Sequence, residues 1–141
     1  MSAEKVIHTL LAGAAAVTAV VGAGNIWPGE LPQGTVLPAL GISHLVTPAE
    51  LTTMDAQAAY RLVQTRIEVT LLARNDANGY VVLKDLLDKV RKACNYAHGT
   101  IGGISVGSVL VDTIGPDQRD SDLGVLSQTI DFLVTWQQAN T

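Results

Sequence analysis

The chain has a single cysteine, Cys94, so no internal disulfide can form. That fits a reducing compartment without requiring one. Charge is sparse, at 16% of residues, and the net charge is −4. This balance excludes a sequence-independent nucleic-acid binder that works by neutralising phosphates. It leaves room for a protein that surrounds DNA without gripping it. Aromatic residues make up only 4% of the chain. Trp27, Tyr60, Tyr80, Tyr96, Phe132 and Trp136 are too scattered to form a stacking platform for single strands.

Long apolar runs are missing as well. The apolar stretch over residues 6–21 falls short of the ~20 residues that a membrane span needs. A secretory signal fits poorly: Glu4 weakens the charged leader region, and Val21-Gly22-Ala23 lacks a small residue at the position a signal peptidase requires. The expectation is a soluble protein with no membrane partner, whose first segment is a helix of the mature domain. Nucleotide fingerprints fail too. Gly22-Ala23-Gly24 follows a helical pattern instead of a strand, and the third glycine position holds Trp27. No Gly-Lys-Ser/Thr sequence occurs anywhere.

What the chain does have is apolar material: 48% of its 141 residues are hydrophobic. That length suits a single domain over residues 1–141. Little charge remains to coat a free monomer, so burial of some apolar surface against other chains is expected.

Periodicity lays out the elements. Ser2 is a plausible N-cap, and Val6, Ile7, Leu10, Leu11, Ala14, Val17, Val20 and Val21 recur at helical spacing until Gly22 and Gly24 end the run. Pro28, Pro32 and Pro38 predict an extended connector over residues 25–38. A strand is expected over residues 37–45, and a loop or short helical excursion over 46–59. Residues 60–74 alternate as a strand, with Thr65, Ile67, Val69 and Leu71 on one face and Arg66, Glu68 and Thr70 on the other. Residues 80–98 read as a helix with Leu83, Leu86, Leu87, Val90, Ala93, Cys94 and Ala97 in one stripe. Strands are expected over 104–114 and 125–137, joined by a turn-rich hairpin loop over 115–124. The order α-β-β-α-β-β predicts a mixed α/β (α+β) fold. Its economical form is a mainly antiparallel four-stranded sheet with two helices on one face.

Candidate chemistry is thin. Cys94 and His98, four residues apart, could share a helical face. A metal would need further ligands, and His8 and His44 lie on separate elements without ligand spacing. A helix C-terminus opposes a thiolate, so Cys94 reads as a packing residue. Asp112, Asp117, Asp120 and Asp122 cluster around Arg119 without the spacing of a calcium loop. They read as a solvated hairpin tip that could dock a partner. Trp27 lies off every periodic face: it either packs beneath the proline connector or projects as an anchor for a partner. Leu31 follows it in the same connector. Arg66, Glu68, Arg119, Asp120 and Asp122, with Trp27 and Leu31, form the candidate interface set. No catalytic residue, cofactor site or metal site is expected.

The layout resembles the tail-terminator, or tail-completion, family of long-tailed bacteriophages, which also covers head–tail joining proteins. The residues that carry this are "AAAVTAVVG" (14–22), then Ile26-Trp27-Pro28, Pro32-Gln33-Gly34 and Pro38. A helix near "LLDKVRKACN" and a last strand ending "IDFLVTWQ" agree as well. The resemblance implies a non-enzymatic ring, usually of six copies, at the head-proximal end of the tail tube. Its partners would be further copies of itself, the tail tube protein and a head-completion or connector protein. DNA would pass through the lumen without specific binding. A head-closure or connector role, or that of another minor tail protein, is the alternative; a small cytoplasmic enzyme, with Cys94 and His98 as its one candidate pair, is the less favoured reading.

Overall fold

The computed structural model describes residues 2–29, 31–32, 34–51 and 60–139. Two helices come first, α1 (Ser2–Ala12) and α2 (Ala15–Val21). The expected single helix breaks at Gly13, where helix propensity is lowest, and the two pieces are bent by 84°. The bend places both apolar stripes in the core. Val6, Ile7 and Leu11 of α1 are buried, and so are Val17 and Val21 of α2, which packs on the third helix. Among the described residues no single helix is long and apolar enough to cross a membrane.

Among the described residues the sheet has seven strands and the chain three α-helices, which corrects both the expected order α-β-β-α-β-β and the expectation of four strands. In chain order they are β1 (Ile26–Pro28), β2 (Ala39–Leu51), β3 (Tyr60–Arg74), β4 (Gly99–Ile101), β5 (Ile104–Ile114), β6 (Gln118–Asp120) and β7 (Val125–Ala139). Helix α3 (Gly79–Cys94) falls between β3 and β4. Strand order across the sheet is β1-β2-β3-β7-β5-β4, with β6 pairing on β7. The additional strands are three-residue pieces in segments expected as connectors, too short to show any periodicity. All pairings are antiparallel except β1 with β2.

β3 and β7 pair without interruption, from Tyr60 opposite Ala139 to Arg74 opposite Val125. Because side chains alternate along a strand, one face collects Val63, Thr65, Ile67, Val69, Leu71 and Ala73 from β3. The same face takes Leu126, Gln128, Ile130, Phe132, Val134 and Trp136 from β7, all buried. The expected inward stripe of residues 60–74 is therefore observed, and residues 125–137 alternate in the same way. α3 adds Leu83, Leu86, Val90 and Cys94 to the same core. Thr65 and Gln128, the buried polar residues of the sheet among those described, are satisfied: the Trp136 indole donates to Thr65 Oγ1 at 3.1 Å, and Gln128 donates to the Gly115 carbonyl at 2.8 Å.

Three boundaries differ from expectation. β2 continues through residues 46–51, expected as a loop, while 52–59 lie outside the described residues. Its register with β3 shifts between Val46 and Ala49, around Pro48, which has no N–H to give a ladder. α3 ends at Cys94 instead of 98. Asn95 is extended and Tyr96 adopts φ 67°, so the chain turns onto the edge of β5. There the Tyr96 N–H donates to the Val109 carbonyl (2.7 Å), and the Val109 N–H donates to Ala97 (3.1 Å). Last, the 115–124 loop contains β6.

Two substitutions probe this framework. Phe132 is fully buried on the central strand, so Phe132→Ala is expected to cost about 3–5 kcal/mol of stability. A Cβ on Gly79 would lie 1.7 Å from the Arg74 carbonyl oxygen. Gly79→Ala is expected to destabilise by about 3 kcal/mol, the upper end of overpacking costs. Thermal and denaturant unfolding of both variants measure this.

Candidate interaction surfaces

The sequence-predicted residues fall into three groups. The proline connector is stitched together by Asn25. Its Nδ2 donates to the carbonyls of Val36 and Pro38, the latter at 2.8 Å, and its Oδ1 accepts from the Trp27 indole at 3.0 Å. Trp27 is half-buried and its indole N–H is satisfied within the connector. Leu31 lies against Gly41, where a Cβ would come within 2.8 Å of its Cδ1. Gly41 pairs with Thr70 on β3, so Leu31 crosses to the face of the sheet that the helices leave bare.

Arg66 and Glu68 lie on that bare face. Glu68 pairs directly with Asp131 of β7, placing two carboxylates side by side. Asp112 joins them from the register irregularity of β5, between Val111 and Thr113. Arg66 Nε lies 2.8 Å from Asp112 Oδ2 but its N–H is not aimed at that oxygen, so the contact is an ion pair by proximity and not a hydrogen bond. Asp131 Oδ1 is shut off from solvent with no hydrogen-bond partner. Desolvation, then the charges of Glu68 and Asp112, push the Asp131 carboxyl above its ordinary pKa, and Arg66 only partly offsets this. Three carboxylates face one guanidinium.

The hairpin tip carries Arg119, Asp120 and Asp122. Asp120 Oδ1 accepts the N–H groups of Asp122 and Leu123, both at 3.1 Å, so it shapes the turn. Arg119 turns back to Asn75 Oδ1 (3.3 Å) and sits 5.9 Å from the centre of the Tyr80 ring, at the start of α3. Asp122 and Leu123 remain exposed. The tip borders an open hollow of about 510 Å³ that also includes Leu72 and Ser127 on the bare sheet face. The structure thus brings Arg66 and Glu68 together, and Arg119 with Asp120 and Asp122, while Leu31 and the hollow beside the tip border the same bare face.

Cys94 and His98 do not form a unit. The helix ends before His98, which is exposed with Nδ1 3.2 Å from the Tyr96 carbonyl oxygen. Cys94 is buried, and desolvation pushes its thiol up to about 12. Among the described residues no three His, Cys, Asp or Glu side chains are arranged to hold a metal ion. Two exposed positions escaped the sequence reading, Tyr96 and Leu123. Each is a lone large apolar residue in a polar turn, and that is the signal that could have found them.

No protein-family model matches the chain, and no curated protein matches it. Among solved structures, it is similar to a chain of the "Virion of native gene transfer agent (GTA) particle" at 16% sequence identity and a TM-score of 0.63. The match covers 96% of this chain and 94% of the other, and it shows a shared fold.

Two predictions follow the chemistry. Because Asp131 has a higher pKa folded than its ordinary 3.8, the native state holds its proton more tightly than the unfolded state. Stability from this group is present at low pH and lost as pH rises from near 3.8 through the folded value. Asp131→Asn is therefore expected to raise stability at pH 7 by on the order of 0.5 kcal/mol, by removing the like-charge pair with Glu68. The gain fades below pH 4, and thermal melts across pH 3–8 measure it. Cys94 should resist a thiol-labelling reagent at pH 8 in the folded protein and react on unfolding, as thiol titration with and without denaturant reads directly.

Proposed function

We propose that this chain is a structural, non-enzymatic virion protein of a phage-like particle. In this reading it is a tail terminator: a ring, most simply of six copies, at the head-proximal end of the tail tube. The ring stops tube polymerisation and offers a surface to a head-completion or connector protein, while DNA passes through its lumen.

The observation that carries the reading is the fold likeness to a virion chain along nearly the full length of both chains. The proline connector between an N-terminal helical segment and the sheet is the part of the layout that the resemblance to tail-completion proteins rests on. Sparse charge and a high apolar fraction also suit a chain that buries surface in an assembly. The bare sheet face carries more carboxylates than cations near its centre, as Glu68, Asp112 and Asp131 surround Arg66. Such a surface does not adhere to DNA if it faces a lumen.

Native mass spectrometry across a concentration series, with negative-stain imaging, is the direct test. The expected result is a closed ring with a central hole that binds tail tube ends and shortens tubes growing from purified tube protein. A chain that neither closes into a ring nor alters tube length counts against the terminator role. Binding to a connector ring without any effect on tubes would instead favour the head-closure alternative.

A further inference from the structure

Among the described residues, the two most exposed large hydrophobic side chains are Leu123, at 75%, and Tyr96, at 74%. Neither is a loose surface residue. The Leu123 N–H is held by Asp120 Oδ1 at 3.1 Å, at the apex of the hairpin tip. Tyr96 is the non-glycine residue that adopts positive φ, at 67°, and its N–H is tied to Val109 of β5. A bulky residue in that region is strained and persists only where its surroundings enforce it. The fold therefore holds both side chains out into solvent.

Their surroundings are of opposite charge. Leu123 follows Asp120 and the exposed Asp122. Tyr96 shares an open hollow of about 370 Å³ with Arg91, Lys92 and Asn95. Arg91 and Lys92 both lean on one carboxylate, Asp88, at 3.9 and 3.0 Å, which leaves the hollow with a positive excess. The tip lies at the start of α3, where Arg119 meets Tyr80, and the hollow lies just beyond its end. A 16-residue helix is about 24 Å long, so one copy's tip cannot reach its own hollow.

We propose that the tip of one copy, with Leu123 leading, seats in the Tyr96 hollow of the next copy. An acidic knob with an apolar apex meets a basic hole with an aromatic wall. Tip against tip, or hollow against hollow, would oppose like charges, so the contact is head-to-tail and propagates around a ring. Tyrosine and arginine at the centre of such a patch are the residues that usually carry interface energy. The contact names the surfaces that close the proposed ring, and it rests on that reading for self-association.

Cysteine crosslinking in the full chain tests it, since the native Cys94 is buried and does not compete. Under mild oxidation, the double variant Leu123→Cys with Tyr96→Cys is expected to give a ladder of covalent multimers on a non-reducing gel. Each single variant should give none. Asp122→Lys and Lys92→Glu should each weaken self-association at least about tenfold, and combining them should restore it. Asp120 is left intact because it shapes the turn.

Covalent dimers from Leu123→Cys alone would show a symmetric contact and overturn the proposal. Rings that form without the ladder, or without response to the charge variants, would overturn this contact and leave the ring reading standing. A ladder from open chains that never close would uphold the contact and count against the ring. Monomers at every concentration with no ladder would overturn both.

Discussion

The uninterrupted pairing of β3 with β7 is the constraint on which the rest of this molecule depends. Fifteen residues on each strand run in register with no bulge. A slip of one residue would turn Ile67, Val69, Phe132 and Val134 to the bare face and draw Glu68 and Asp131 into the core. Burial on one face alone therefore locks the register. Everything else is hung on this ribbon. β2 and β5 flank it, α3 covers it, and the short strands β1, β4 and β6 finish its margins.

The same register creates the tension on the other face. Glu68 and Asp131 are opposite each other because the core needs their neighbours inward. Arg66 and Asp112 reach the pair only from a diagonal and from a bulge. The result is a carboxylate that burial and like charge hold above its ordinary pKa, beside a guanidinium that does not donate to it. The two most exposed large apolar side chains among the described residues lie elsewhere, at the hairpin tip and at the end of α3, while Leu62 and Leu110 are exposed on the bare face itself.

Most interior polar groups and the connector are likewise committed to the fold. The buried cysteine is inert, the indole N–H groups of Trp27 and Trp136 are used internally, and the proline connector is tied by Asn25. Leu31 is likewise spent on covering Gly41. The surfaces left to define a function are charged and shaped for contact.

The sequence by itself determined the long elements. The alternation of 60–74 and 125–137 and the helical stripe from Leu83 to Cys94 were legible because each repeats its period several times, although the stripe was read on to Ala97. The polar and apolar faces of β3 and β7, and with them the placement of Arg66 and Glu68 on the bare side, followed from that alternation alone. Only the tertiary structure decided what depends on distant partners. Pro48 sits within a strand because β3 supplies a ladder that tolerates a bulge there. The helix stops at Cys94 because Asn95, Tyr96 and Ala97 bond better to the edge of β5 than to a further helical turn. The contacts among Glu68, Asp131 and Asp112 are of the same kind. They join residues far apart in the chain, and no local period records such a meeting.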